Sequence, residues 1–121
     1  MTTFSADQAV EFTQIANGPG VVSEQVSDAH SVAVGIWVGV GARDESEHQA
    51  GISHFLEHLV FKGTEERTAR SIAELADATG GEMNAFTTME YTAFYARFPA
   101  NKLDLAIDLL GDVLCRPALR A

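Results

Sequence analysis

The chain is 121 residues long, 46% hydrophobic and 21% charged, which suits one globular domain and excludes a disordered chain. Its formal net charge is −9 and it has one cysteine, so we expect no nucleic acid partner, no internal disulfide and no cysteine-rich metal site. An acidic surface attracts basic peptides, although it serves solubility equally well.

The first half of the chain predicts a β-hairpin and a long strand. Residues 10–15 and 21–26 are strand-like and flank residues 17–20 (Asn-Gly-Pro-Gly), which are strong turn formers. Across residues 31–41, branched apolar side chains at even positions alternate with mostly small ones, which predicts a strand with one apolar face. The acidic stretch 43–48 is expected to form a surface loop.

Two helices are predicted next. Apolar residues recur at three- and four-residue spacing across residues 51–61, and Gly63 would close this helix. A second helix would begin after the capping residue Thr68 and stop at the glycine pair 80–81.

The last part of the chain predicts two strands and a third helix. The strands cover residues 82–87 and 91–98 and are joined by a short turn. Asn101 and Asp104 resemble a capping box at the start of the helix, and Pro117 stops it. This order of elements predicts an α+β fold, in which helices pack on one face of a mainly antiparallel sheet.

The segment His54-Phe55-Leu56-Glu57-His58 carries the clearest chemical signal. Residues four apart lie on one face of a helix, so the imidazoles of His54 and His58 can point at one ion. Two imidazoles suit zinc, and a carboxylate beside them, that of Glu57, can take a proton from a metal-activated water. The alternative is a polar stripe on an amphipathic helix. However, Phe55 and Leu56 predict a largely buried helix, where unpartnered titratable groups are costly.

This motif has the H-x-x-E-H order of the inverzincins, the reverse of the zincin motif. Residues 50–64 as a whole closely resemble the active-site segment of the pitrilysin-like M16 metallopeptidases. Further blocks similar to that family lie at residues 17–22, 39–45, 80–87 and 90–95. The resemblance implies an M16 metallopeptidase-like domain and a zinc cofactor.

The resemblance also assigns roles to single residues. It implies that His54 and His58 are zinc ligands and that Glu57 is the catalytic base. It also implies that Asn84 and Ala85, on an edge strand, hold the backbone of an extended peptide. Without the resemblance, Asn84 is equally well a polar residue that satisfies its own turn. Glu90 matches a position that is commonly acidic in the family, where it would support a ligand histidine or lie in solvent.

A catalytic zinc site needs three protein ligands, and the motif supplies two. The resemblance places the third, a glutamate, on the order of 75 residues after His58. It therefore implies that residues 1–121 are the N-terminal part of the domain, with the third ligand and a second M16-like domain or subunit beyond Ala121. We expect the protein encoded by the complete open reading frame (the parent protein) to be a zinc metalloendopeptidase, and the 121 residues alone to be inactive.

Two other functions stay open at this point. A non-catalytic subunit of the same fold would capture substrate or act as a scaffold, but such partners typically lose the metal motif, which is intact here. A structural zinc site would need four ligands, often cysteines. The N-terminus has no apolar secretion segment, and the longest apolar stretch, 32–40, is too short to span a bilayer. We therefore expect a cytoplasmic location and no membrane partner.

Overall fold

The computed structural model describes residues 2–3 and 10–119. The described residues form six strands and three α-helices, in the order β1 (Thr2–Thr3), β2 (Val10–Gln14), β3 (Gly20–Glu24), β4 (Ser31–Val38), α1 (Ile52–Val60), α2 (Ala69–Thr79), β5 (Glu82–Thr87), β6 (Thr92–Pro99) and α3 (Leu103–Cys115). Short 3-10 turns lie before α1, at Ala42–Asp44 and Glu47–Gln49, and before α3, at Ala100–Lys102. None of the helices in these residues is long and apolar enough to cross a membrane.

The strands form two three-stranded antiparallel sheets, ordered β1-β2-β3 and β4-β6-β5. In the second sheet, β6 is central, and Phe94 lies opposite Ile36 on one side and Ala85 on the other. Alternate residues of a strand share one face, so Phe94, Ala96 and Phe98 all point toward the helices. The predicted α+β fold, with helices on one face of antiparallel strands, is confirmed.

The core lies between this face of the second sheet and the three helices. Its buried apolar side chains are Val60, Ile72, Ala76, Ala85, Phe94, Ala96, Phe98, Ala106, Leu109, Leu110 and Val113. Each large side chain among them contributes about 1.5–3 kcal/mol by leaving water. Gly81 passes so close to this core that a Cβ atom there would lie 2.5 Å from the ring of Phe98.

Several local predictions are confirmed because short-range chemistry decides them. The side chain of Thr68 accepts a hydrogen bond from the Ser71 N–H and caps α2, and Gly80 ends that helix with a φ of 76°. The hairpin of β2 and β3 turns at Asn17, which also has a positive φ of 56°. Asparagine and glycine adopt this left-handed conformation at a lower cost than other residues.

The prediction that α1 is largely buried is wrong. Phe55 and Leu56 are 60% and 43% exposed, and α1 buries only Glu57 and Val60. An apolar spacing shows which side chains share a helix face, but it does not show whether another element covers that face. Within the described residues, that side of α1 remains open.

The start of α3 also differs from the prediction. The capping box of Asn101 and Asp104 does not form, since Asn101 lies inside the 3-10 turn and α3 begins at Leu103 without a side-chain cap. The spacing of apolar residues also predicts a buried face that includes Ala106, Ile107, Leu110 and Val113, and the structure covers only part of it. Ile107 is exposed, whereas Asp112 is buried among the core residues of α3.

Candidate metal centre

The helix α1 brings the residues of the sequence motif together. The Nε2 atoms of His54 and His58 are 2.9 Å apart, and one ligand atom from each of His54, Glu57 and His58 lies within 4.8 Å of the other two. Zinc–nitrogen bonds of about 2.0–2.1 Å would place two nitrogens of a tetrahedral site roughly 3.3 Å apart. The pair of imidazoles therefore fits a metal after a small adjustment.

Glu57 differs from the two histidines in its burial. It points toward the sheet and is 8% exposed, whereas the His54 side chain is 67% exposed. The Thr87 hydroxyl, on β5, donates a hydrogen bond of 2.6 Å to Glu57 Oε2, and His54 Nδ1 lies 4.0 Å from the same oxygen. A buried carboxylate needs such a donor, because it has lost its water. The site thus has a buried acidic side and an open histidine side.

A carboxylate from the preceding loop caps α1. Glu45 Oε2 accepts a hydrogen bond of 2.6 Å from the Gly51 N–H, and Oε1 accepts one of 2.9 Å from the Ser53 N–H. Gly51 is the N-cap residue and has no side chain for this task, so Glu45 satisfies the free N–H groups and the positive end of the helix. The backbone hydrogen bonds from Ser53 and Gly51 lower the pKa of Glu45.

The loop that carries Glu45 rests on the β5–β6 turn. The N–H groups of Ala42 and Arg43 donate hydrogen bonds of 2.9 Å to the carbonyl groups of Thr88 and Met89. The contact is so close that a Cβ atom on Gly41 would lie 2.5 Å from the Thr88 oxygen. The loop therefore connects the start of α1 to the end of β5.

Glu90 lies on the same turn, and its side chain pairs with Arg43. Its Oε1 accepts a hydrogen bond of 3.1 Å from Arg43 Nη1, and both side chains are exposed. Among the described hydrogen bonds and ion pairs, none joins Glu90 to His54 or His58. Of the two alternatives that the sequence left open, the exposed position agrees with a side chain in solvent, where Glu90 helps to hold the loop on the turn.

Asn84 and Ala85 lie on β5, an edge strand of the second sheet that packs against α1. Asn84 is exposed and Ala85 is buried. The Asn84 side-chain oxygen accepts a hydrogen bond of 2.8 Å from the Ala85 N–H. This is the local alternative that the sequence left open for Asn84, and it gives the Ala85 N–H a side-chain acceptor.

Sequence reasoning missed two residues at this site, Thr87 and Glu45. Thr87 carries a weak signal, since strand alternation places it on the same face as the buried Ala85. Glu45 carries none, because no local spacing rule joins a loop carboxylate to a helix that begins at Ile52. The other two histidines, His30 and His48, are exposed and lie outside the cluster.

Comparisons with known proteins give several matches. The model of the family described as Insulinase (Peptidase family M16) matches residues 20–121. The chain is 51% identical over 102 residues to a Mycobacterium leprae protein named an uncharacterized zinc protease, across 84% of the chain and 23% of that protein. It is 40% identical over 102 residues to the probable mitochondrial-processing peptidase subunit beta of Arabidopsis thaliana, across 84% of the chain and 19% of that protein.

The fold has a match among solved structures as well. The crystal structure of a protease from Helicobacter pylori aligns with a TM-score of 0.86 and 28% identity, over 93% of the chain and 27% of the Helicobacter chain. The chain therefore spans about a fifth to a quarter of the length of these relatives.

Proposed function

Because the chain belongs to the insulinase family, peptidase family M16, we propose that the parent protein is a zinc-dependent endopeptidase that hydrolyses extended peptides. The observation that carries this proposal is the convergence of His54, Glu57 and His58 within 4.8 Å on one side of α1. The name zinc protease, which several relatives bear, supports the choice of metal.

The donor set fits zinc, since two imidazoles with facing Nε2 atoms are ligands that this ion prefers. In the proposal, His54 and His58 hold the ion together with a third ligand that lies after residue 121. Bound zinc supplies a Lewis acid that polarises the scissile carbonyl group and makes a nearby water molecule more acidic.

Glu57 is the proposed general base. Its carboxylate takes a proton from the attacking water while the water oxygen bonds to the scissile carbonyl carbon. As the carbon–nitrogen bond breaks, the resulting carboxylic acid passes the same proton to the leaving amine, which regenerates the carboxylate. Burial on the sheet side keeps this group beside the histidines and away from bulk water.

The proposed position of the peptide is along the free edge of β5. An extended peptide can add to an edge strand through main-chain hydrogen bonds, which grip it without regard to side chains. Asn84 and Ala85 would supply these contacts, after the Asn84 side chain releases the Ala85 N–H to a peptide carbonyl. The net charge of −9 favours basic peptides.

A second M16-like domain or subunit is the proposed partner, and a relative named as a subunit of a processing peptidase supports it. The alternative function is a non-catalytic substrate-binding or scaffolding subunit. No observation favours it, because the intact cluster of His54, Glu57 and His58 has no use in such a protein. A cytoplasmic location stays a prediction.

The test of the catalytic role is Glu57→Gln in the parent protein. Zinc content should stay unchanged, and peptide hydrolysis should fall by about 100-fold or more, because the base is lost and the ligands are kept. Glu90→Gln is the matched control and should keep full activity. Unchanged hydrolysis by the Glu57 variant with zinc bound would refute the assigned role.

A second experiment tests the expectation for the 121 residues alone. Supplied with zinc, they should show no peptide turnover, because the proposed third ligand and second domain are absent. Clear turnover at a rate near that of the parent protein would show that residues 1–121 hold a complete site.

A further inference from the structure

We propose that Thr87 is a positioning residue for the general base, a role that rests on the proposed function of Glu57. Thr87 Oγ1 lies 2.6 Å from Glu57 Oε2, a short hydrogen bond of the kind that a hydroxyl forms with a charged carboxylate. The hydroxyl holds one carboxylate oxygen and leaves the other free to accept the proton of the attacking water.

The Glu57 carboxylate depends on this one contact for its orientation. Among the described residues, Thr87 supplies the only hydrogen bond to the Glu57 carboxylate. A glutamate side chain has three rotatable bonds, so burial against a sheet restricts its position without selecting one orientation of the carboxylate. The hydrogen bond from the Thr87 hydroxyl is directional and selects one orientation of the carboxylate.

Thr87 is itself well fixed. As a β-branched residue it has few side-chain rotamers, and it is the last residue of β5, paired across the sheet with Thr92. The turn that follows is closed by a hydrogen bond of 2.8 Å from the Thr88 N–H to the Tyr91 carbonyl. The Thr87 hydroxyl is therefore held in a fixed position.

The same turn is connected to the helix that carries Glu57. Ala42 donates to the Thr88 carbonyl group, and Glu45, three residues later, caps the start of α1. The loop, the turn and the helix thus form a closed ring, and the hydrogen bond between Thr87 and Glu57 lies inside it. Helix and strand cannot shift relative to each other without breaking several hydrogen bonds.

Thr92 provides a matched control for a purely structural role. It is buried, whereas Thr87 is half-buried, and its hydroxyl donates a hydrogen bond of 2.9 Å to the Val40 carbonyl group. It is the cross-strand neighbour of Thr87, but its hydroxyl bonds to Val40 and not to Glu57. Removal of the Thr92 hydroxyl therefore breaks a comparable hydrogen bond in the same sheet and keeps the hydrogen bond between Thr87 and Glu57.

The experiment compares Thr87→Val, Thr87→Ser and Thr92→Val in the parent protein, with kcat, KM, zinc content and the midpoint of thermal unfolding measured for each. Thr87→Val should lower kcat by about tenfold to a hundredfold, with KM and zinc content changed less than about twofold. Thr87→Ser, which keeps the hydroxyl, should recover most of this loss. Thr92→Val should lower the thermal midpoint without lowering kcat by more than about twofold.

The proposal is overturned if Thr87→Val keeps the parent kcat, if its loss lies wholly in KM or zinc content, or if Thr92→Val loses as much kcat. If Thr87→Val does not accumulate as folded protein, Thr87→Ala removes the same hydroxyl and is judged by the same criteria. Glu57→Gln separates the two proposals: an active Glu57 variant refutes the proposed function, whereas an inactive one beside a fully active Thr87→Val refutes only the role of Thr87.

Discussion

Arg67, in the loop after α1, donates a hydrogen bond of 2.7 Å to the carboxylate of Asp112 on α3. Asp112 is 1% exposed, and it also accepts hydrogen bonds from Thr64 and Arg116 at 2.8 and 2.9 Å. Burial alone would raise the pKa of Asp112, but the hydrogen bonds from these three partners outweigh it and hold the pKa below its usual range. The buried carboxylate thereby fastens the loop after the histidine helix to α3.

Asp112→Asn should destabilise the protein by about 3 kcal/mol, because it leaves two arginines without their shared buried counter-charge. Chemical denaturation of the parent protein measures this loss. The exposed Asp104, near the start of the same helix, provides the control, and Asp104→Asn should change stability by less than about 0.5 kcal/mol. Equal losses in the two variants would contradict the role given to Asp112.

The lowered pKa of Asp112 also predicts a pH dependence. A carboxyl group with a lower pKa in the folded state stabilises the fold at pH values above its unfolded pKa. This contribution is lost as pH falls below about 5 and passes through the folded pKa. The stability of the unsubstituted protein should therefore fall more steeply on acidification than that of Asp112→Asn, and the two curves should converge. Parallel curves of unfolding free energy against pH would contradict this.

Glu45→Ala should lower the midpoint of thermal unfolding by a few degrees and reduce zinc content, because α1 loses its cap at Gly51 and Ser53. The thermal midpoint of Glu45→Gln should lie between those of Glu45→Ala and the unsubstituted protein, since glutamine keeps one acceptor oxygen. Glu47→Ala, at an exposed position in the same loop, is the control and should match the unsubstituted protein. An unchanged midpoint for Glu45→Ala would show that the cap has no role in the stability of the helix.

His54→Ala and His58→Ala should each weaken zinc binding by more than about 100-fold, since a lost ligand costs more than a lost supporting contact. Metal analysis of the purified parent protein after dialysis against a competing chelator measures this. His48→Ala, which alters an exposed histidine outside the cluster, should keep the zinc. Zinc retained by both cluster variants would place the metal elsewhere.

Glu90→Ala should leave zinc content and kcat unchanged, because Glu90 pairs with Arg43 and with neither histidine. Exposed ion pairs contribute at most about 1 kcal/mol, so the effect on stability should also be small. The same assays check this prediction. A tenfold weaker zinc affinity in this variant would restore the hypothesis that Glu90 supports a ligand histidine.

The elements that local chemistry determines were predictable from the sequence. The cap at Thr68, the glycine stop at Gly80 and the hairpin turn at Asn17 each depend on backbone groups a few residues away. The two strands predicted at residues 82–87 and 91–98, joined by a short turn, likewise form as β5 and β6. The capping box at Asn101 failed, although it has the same kind of pattern, because a 3-10 turn precedes α3.

The burial of the site was not predictable in this way. Phe55 and Leu56 were expected to be covered, yet they are exposed. Asp112 lies in the core, although charged side chains are usually found at the surface. Coverage depends on which elements meet in space, and hydrophobic spacing along one helix contains no information about a second element.

By itself, the sequence determined that the two imidazoles and the carboxylate of the motif share one helical turn, since a four-residue spacing leaves no other arrangement on a helix. Only the tertiary structure decided what surrounds that turn: the Thr87 hydroxyl on Glu57 and the Glu45 carboxylate at the start of α1. Periodicity is a property of neighbours along the chain, whereas these contacts join residues that the fold alone brings together.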